Sequence, residues 1–297
     1  MFQASGTTGC LFLSGILAGC LKYGGTGRPA VFAGAMTALA CATIISQSYK
    51  KEELAGGLAG FNAILVGCAA FTFLHDATAT WGLLIISAIL TLPLKLYLDR
   101  CFTRFGISSL TLPFIIATWA LLYFSQATDT AALYHPGTSE DTCADITFYS
   151  ALQGLMKGLS QVFLIDSWPA GCIFFMGLWV AERRAALWAV AGSAIGMATA
   201  LCTGCPWEEI AGGVWGFSPA LTSIALGVTF RTSAAWHWNI AVIAATVFTA
   251  LLQLLLSPAL TCMGLPVLTL PFCIGTWTAT GTRHICRACS RHTCKKA

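Results

Sequence analysis

Apolar runs of membrane-crossing length, separated by short polar gaps, occupy most of the chain. Pro29 to Gln47, Ala185 to Cys202 and Ile240 to Leu256 are each nearly free of charge, and a helix needs about 20 such residues to cross the hydrocarbon core. The pattern predicts roughly ten apolar segments of spanning or near-spanning length. Open backbone cannot satisfy its hydrogen bonds in lipid, so these segments are expected to be helices. Composition excludes the soluble alternative. Only 9% of the 297 residues are charged, 57% are hydrophobic and the mean hydropathy is +0.75, whereas a water-facing domain carries about 25% charged residues.

The net charge of +4 resides in loop ends and in the tail, at Lys50 and Lys51, Arg100 and Arg104, Arg183 and Arg184, and from Arg283 to Lys296. Basic residues beside spans favour the cytoplasmic face. The reading is a multi-pass protein of the cell (inner) membrane, with its C-terminus cytoplasmic. The 14 cysteines are scattered through apolar segments, where a free thiol behaves as a small hydrophobe. Two motifs are read as decoys. Leu17-Ala18-Gly19-Cys20 has the form of a lipoprotein cleavage site, yet no Lys or Arg precedes residue 22, and a signal peptide needs a positive n-region. His284, Cys286, Cys289, His292 and Cys294 fit no standard zinc spacing, and the basic residues between them would oppose a cation. That tail is read as a basic segment with reduced or acylated thiols, and no metal or cofactor is expected.

An internal repeat organises the chain. Glu52-Glu53-Leu54-Ala55-Gly56-Gly57-Leu58-Ala59-Gly60-Phe61-Asn62 returns as Glu208-Glu209-Ile210-Ala211-Gly212-Gly213-Val214-Trp215-Gly216-Phe217-Ser218. Leu110-Thr111-Leu112-Pro113-Phe114 returns as Leu268-Thr269-Leu270-Pro271-Phe272, Thr118-Trp119 as Thr276-Trp277, and Gly9-Cys10-x-Phe12 as Gly171-Cys172-x-Phe174. The matched pairs lie 156 to 162 positions apart and keep their order. The expected organisation is a first homologous half over residues 1–127, a polar linker over 128–147, and a second half over 148–297 that ends in the basic tail. With five spans per half, an odd number, the second half is expected to be inverted, which places a solute path at the repeat interface, lined by interrupted helices.

Three segments are candidates to line that path. The Gly-Gly-x-x-Gly-Phe pattern is read first as close helix packing through small residues. Thr-Leu-Pro-Phe points to a broken helix. Proline removes a donor and frees a carbonyl one turn earlier, and lipid tolerates such a break only against protein or a wet cavity. The threonine before it can offer its hydroxyl to a solute, or can bond back to its own helix. The third segment, Lys157 to Pro169, is also broken by proline and carries the amide of Gln161 into an apolar stretch.

These residues resemble the urea transporters. Leu110 to Phe114 and Leu268 to Phe272 are similar to that family's two LP boxes, Gly60-Phe61-Asn62 to its Gly-Phe-Asn segment, and Gln161-Val162-Phe163-Leu164 to its Gln-Val-x-Phe pore segment. The resemblance covers essentially the whole chain in order. It implies an all-α fold of ten transmembrane helices plus two half-spanning pore helices in two inverted halves. It further implies a homotrimer with one pore per subunit, and passive, channel-like movement of urea with no cofactor. Carried over, the central threonines are Thr111 and Thr269, the urea-flanking aromatics Phe61 and Phe217, and the residues one turn on Leu65 and Leu221. Gln161 takes the place of the polar residue at the pore mouth, with Val162 beside it and Leu164 at the family's Phe position. Phe2 falls on the corresponding Phe of the first half, so the partner of Gln161 would lie before Met1, and the natural gene product is expected to begin upstream. Ser218 and Pro219 depart from Asn62-Ala63, so the second segment is expected to pack differently.

Urea's own chemistry agrees with these residues. It is flat and neutral, with four N–H donors and one carbonyl, so apolar walls plus freed carbonyls and hydroxyls suit it. A channel for another small neutral solute (ammonia, water or short amides) is the alternative. The five histidines, His75, His135, His237, His284 and His292, are not paired between halves, which weighs against ammonium conduction. Asp76, Asp166 and the Glu pairs form no nucleophile–base pattern, so no enzyme and no nucleic-acid partner is expected.

Overall fold

The computed structural model of the chain describes residues 5–21, 26–49, 58–127, 146–231 and 236–293, with side chains described through residue 281 except at 58 and 59. Phe2, most of the linker, the Glu52-Glu53 pair and the Cys/His side chains of the tail lie outside the described residues. Within them the chain forms twelve α-helices and no strand: α1 Gly6–Cys20, α2 Pro29–Ser46, α3 Leu58–Phe73, α4 Thr78–Thr103, α5 Leu112–Ala127, α6 Phe148–Ser160, α7 Trp168–Ala181, α8 Arg183–Cys202, α9 Trp207–Ala211, α10 Phe217–Ile224, α11 Trp236–Cys262 and α12 Leu270–Thr293. The all-α, multi-pass reading holds.

Length and apolarity sort these helices into two kinds. α2, α4, α8 and α11 are long and apolar enough to cross a membrane alone. α1, α3, α5 and α10 with its following turn are apolar but shorter, and α6 and α7 meet at a bend of 76°. The roughly ten segments counted from hydropathy therefore include several that, over the described residues, are shorter than a full span as single helices. Local sequence sets their ends. Pro29 and Pro169 stand in first turns, where the missing N–H is not needed. The Ser5 and Ser167 hydroxyls accept from N–H groups three residues on, and Thr147 and Ser150 form a reciprocal capping box.

Packing follows one order twice. α3 lies against α2, α4 and α5, and α4 lies against α2 and α5; α10 lies against α8, α11 and α12, and α11 lies against α8 and α12. The two groups meet where α1 packs on α7 and where α5 touches α12. At α1 and α7 the contact is reciprocal. The Phe12 and Phe174 rings meet edge to face with centroids 5.6 Å apart. A methyl added at Gly15 would overlap Phe174, and one at Gly177 would press on Phe12. Each phenylalanine thus sits in the notch left by the other helix's glycine.

The second group departs from the first in the segment that carries Ser218 and Pro219, just before and just after α10. The positions opposite α3, 214–229, form the end of a turn, then α10, then a wide π-type turn over Ala225–Thr229. Gly67 and Gly171 each allow two helix backbones to approach closely. A Cβ at Gly67 would strike the backbone of Gly34 and Ala35 on α2, and one at Gly171 would strike the backbone of Met156 on α6.

Gly171→Ala is expected to force α6 and α7 apart and to lower the thermal midpoint of the detergent-solubilised protein by several degrees. Gly82→Ala is the control. No atom lies within 4 Å of a Cβ at Gly82, and a helical Gly→Ala change there should stabilise by about 0.5–1 kcal/mol. Size-exclusion recovery after a temperature ramp checks both, and equal midpoints for the two variants would show that this contact has slack.

Candidate functional site

Thr111 and Thr269 meet. They immediately precede α5 and α12, both are buried, and their hydroxyl oxygens lie 2.8 Å apart. Local sequence explains why they reach across instead of back. A threonine at a helix N-cap ordinarily accepts from the N–H two or three residues on. Here the residue two on is Pro113 or Pro271, which has no N–H. In the first group the N–H three on, that of Phe114, donates to Asn62 Oδ1 at 3.2 Å, while Asn62 Nδ2 donates to Leu110 O at 3.2 Å. The Leu112 N–H goes to Ser109 O and the Ile115 N–H to Thr111 O. The first turn of α5 is complete without the Thr111 hydroxyl, which is left to face Thr269 and, at 3.3 Å, Cys273 Sγ.

Backbone strain marks the same places. The described non-glycine residues with positive φ are Leu110 (52°), Leu268 (47°) and Leu164 (59°). Left-handed geometry crowds a leucine Cβ, and such strain persists only where the surroundings over-determine it. Two of these leucines immediately precede the central threonines. The third follows the tight turn Gln161–Phe163 that joins α6 to α7.

That turn is clasped from both sides. Lys157 pairs with Asp166 at 2.8 Å, and the Ser160 hydroxyl donates to Ile165 O at 2.7 Å. Gln161 Nε2 donates to Gly212 O at 3.0 Å. A carbonyl can only accept, so the amide's orientation is determined and Oε1 is presented as an acceptor. Two tryptophans then cross-link the groups reciprocally. Trp119 Nε1 donates to Pro266 O at 2.9 Å and Trp277 Nε1 to Ser108 O at 2.8 Å. Both the donors and the acceptors are positions that the sequence repeat pairs.

A profile described as "UT: Urea transporter" matches residues 1–284. The chain belongs to the urea transporter family. Among curated proteins it is similar to urea transporter 1 of Ovis aries, 27% identical over 251 residues that make up 81% of this chain and 64% of the sheep protein. Urea transporter 1 of Rattus norvegicus is 26% identical over 284 residues, 93% of this chain and 72% of the rat protein. The chain thus spans just under two thirds of the sheep protein's length.

For this member of the urea transporter family, the expected site residues fall into three sets. Thr111 and Thr269 are in contact, as above. Phe61 and Leu65 lie on α3, Phe217 and Leu221 on α10, and all four are buried. Their arrangement is not a simple facing pair: Phe61 meets Phe163 edge to face at 5.8 Å and 87°, and no described ring contact joins Phe61 to Phe217. Phe163 in turn touches Phe12 and Phe174, so Phe61 belongs to an aromatic cluster that includes the α1–α7 contact. Val162 is buried and Leu164 half-buried at the bend, and Gln161 sits half-buried at the same turn.

Four further residues take part, Asn62, Cys273, Lys95 and Asp99. Asn62, which the sequence marks only through the Gly-Phe-Asn resemblance, holds the start of α5. Cys273 is more than a small hydrophobe: it reaches Thr111, and its place four residues beyond Thr269, one helical turn, is the sequence signal for it. Lys95 and Asp99, also four apart, pair at 2.6 Å, and Asp99 Oδ1 accepts from the Ser109 N–H at 2.9 Å. That pair ties the end of α4 to the loop entering Leu110.

Asn62→Ala should leave the Leu110 carbonyl and the Phe114 N–H without their partner, a loss of about 1–3 kcal/mol for each buried group. Ser218, at the matching position of the second group, is fully buried with no partner for its hydroxyl among the described residues. Ser218→Ala should therefore be neutral or stabilising. Opposite signs in thermal unfolding are expected, and equal destabilisation by both would refute the asymmetry.

Proposed function

We propose that this chain conducts urea passively, through a pore between two inverted homologous halves, residues 1–127 and 148–297 joined by the linker 128–147. The buried contact of the Thr111 and Thr269 hydroxyls at two helix starts carries this reading, in a chain that belongs to the urea transporter family. The reciprocal Trp119–Pro266 and Trp277–Ser108 bonds support two halves related by an approximate two-fold axis through that contact. The assembly is a homotrimer with one pore per subunit, in the cell (inner) membrane, with the C-terminus cytoplasmic.

The chemistry follows from what surrounds the contact. A helix N-terminus carries about half a positive charge, and two of them meet here. They disfavour a cation such as ammonium and favour the negative end of a neutral carbonyl. The threonine hydroxyls replace hydrogen bonds that urea loses with its water. Phe61, Phe217, Leu65, Leu221, Val162 and Leu164 give apolar walls that strip that water from a flat solute, while Gln161 Oε1 accepts an N–H nearer the mouth. Binding stays weak because neutral hydrogen bonds only exchange for those with water, and weak binding permits fast release. No bond of the solute is made or broken and no cofactor is needed.

Thr111→Val and Thr269→Val are each expected to slow urea flux while folding and assembly persist. A net hydrogen bond is worth about 0.5–1.5 kcal/mol, so losses of a few-fold to about tenfold follow. Stopped-flow light scattering of proteoliposomes in a urea gradient measures this, with acetamide, ammonium and water run in parallel. Unchanged urea flux in the double variant removes the central site, and faster flux of another solute than urea reassigns the channel.

Phe61→Ala and Phe217→Ala are expected to weaken discrimination against bulkier amides more than they slow urea. Relative flux of urea and N-methylated ureas is the readout. Retention of the parent's selectivity in both variants would remove the aromatic wall.

A further inference from the structure

Four buried hydroxyls have no partner among the described residues, those of Ser109, Thr118, Ser218 and Thr276, and two of them are threonines at repeat-paired positions. Thr118 on α5 and Thr276 on α12 are 0% and 1% exposed, and neither hydroxyl has a partner among the described residues. Every other buried threonine described has one. Threonines inside helices here commonly donate to the carbonyl four residues back, as Thr72, Thr199, Thr246 and Thr249 do. Thr118 and Thr276 decline that bond, and the sequence repeat pairs them with each other.

Their direction follows from helix geometry. Each stands seven residues beyond a central threonine, close to two full turns, so it lies on nearly the same face about 10 Å further along. On α12 that face is identified by a contact. Cys273, four residues after Thr269 and three before Thr276, reaches Thr111 Oγ1 of the other group. The stripe of Thr269, Cys273 and Thr276 therefore turns toward the other group, and the matching stripe on α5 is Thr111, Ile115 and Thr118. Both stripes are buried throughout. The described bonds between the two stripes are those of Thr111 to Thr269 and to Cys273, and neither the Thr118 nor the Thr276 hydroxyl is bonded by the opposite helix.

An unpartnered hydroxyl in an apolar interior is destabilising. Finding two, at paired positions and on the solute-facing stripes, calls for an occupant that the protein does not supply. We propose that Thr118 and Thr276 are two further solute-binding positions, each offering a hydroxyl to a small neutral amide that has both N–H donors and a carbonyl. This rests on the reading of Thr111 and Thr269 as the centre of a urea path. It extends that path along both helices as a series of exchangeable hydrogen bonds about two helical turns apart.

Thr118→Val and Thr276→Val test the proposal, because valine matches threonine in shape and lacks only the hydroxyl. Each is expected to lower urea flux about two- to tenfold, the loss of one hydrogen bond to the solute, with a thermal midpoint no higher than the parent's. The serine variants, which keep the hydroxyl, should recover the flux. A raised midpoint with unchanged flux would overturn the proposal, since the hydroxyl was then merely unsatisfied. A lowered midpoint with unchanged flux would also overturn it, since a fixed water was then the partner. Should a valine variant not fold, Thr118→Cys and Thr276→Cys are treated with a small methanethiosulfonate reagent. Flux block beyond the parent's background, slowed by molar urea, is expected, and block indifferent to urea overturns the proposal. Slowed flux in Thr111→Val and Thr269→Val beside normal flux in the Thr118 and Thr276 variants removes this inference alone, whereas absent urea flux in the parent removes the reading beneath it.

Discussion

Hydrocarbon supplies no hydrogen bonds, so a helix that starts inside a membrane protein must find every partner within the chain. The starts of α5 and α12 are such places, and most unusual features of the structure gather around them. Proline at the second helical position removes one N–H outright. Asn62 takes another, and a left-handed leucine turns the chain sharply enough to begin the helix where it does. At α5 the result is a threonine hydroxyl with nothing left to bond in its own helix. The Thr111 and Thr269 hydroxyls, brought together at 2.8 Å, form a buried polar contact between the two groups.

The same requirement explains the supports placed at a distance. Asp99 holds Ser109 just ahead of the α5 start, and Lys95 neutralises Asp99 within the helix. Trp119 and Trp277 each give a ring N–H to a loop carbonyl of the opposite group, which satisfies backbone that no helix serves. At the third break, Lys157 with Asp166 and Ser160 with Ile165 do comparable work, and Gln161 fastens the bend to Gly212. Apart from the Lys157–Asp166 pair, whose carboxylate is exposed, these bonds are buried or half-buried, where an unmade bond is costly.

The two groups share a packing order but have diverged in chemistry. Asn62 clamps one helix start, whereas Ser218 is too short to do so and stays unpartnered. Ile115 is opposite in the repeat to Cys273, so only one of the central threonines has a thiol beside it. α3 is continuous while its counterpart is divided by a turn and a π-type segment. The centre is therefore uneven: Thr111 has two partners, and Thr269 has Thr111 alone among the described residues.

Sequence alone determined the class of the protein and the location of its breaks. Hydropathy required helices in lipid, because apolar length and backbone satisfaction leave no other solution. The doubled Thr-Leu-Pro-Phe marked both helix starts, because proline's missing N–H is a property of the residue and not of its surroundings. Only the tertiary structure decided where each freed group points. Whether a threonine bonds its own carbonyl, another threonine or nothing depends on which neighbour has already taken the adjacent N–H, and Asn62 lies 49 positions before Thr111 in the chain. The edge-to-face meeting of Phe61 with Phe163, the reciprocal glycine notches of α1 and α7, and the unpartnered Thr118 and Thr276 are equally products of long-range packing. Residue spacing encodes the face a side chain occupies, whereas its partner is set by elements folded against it from elsewhere in the chain.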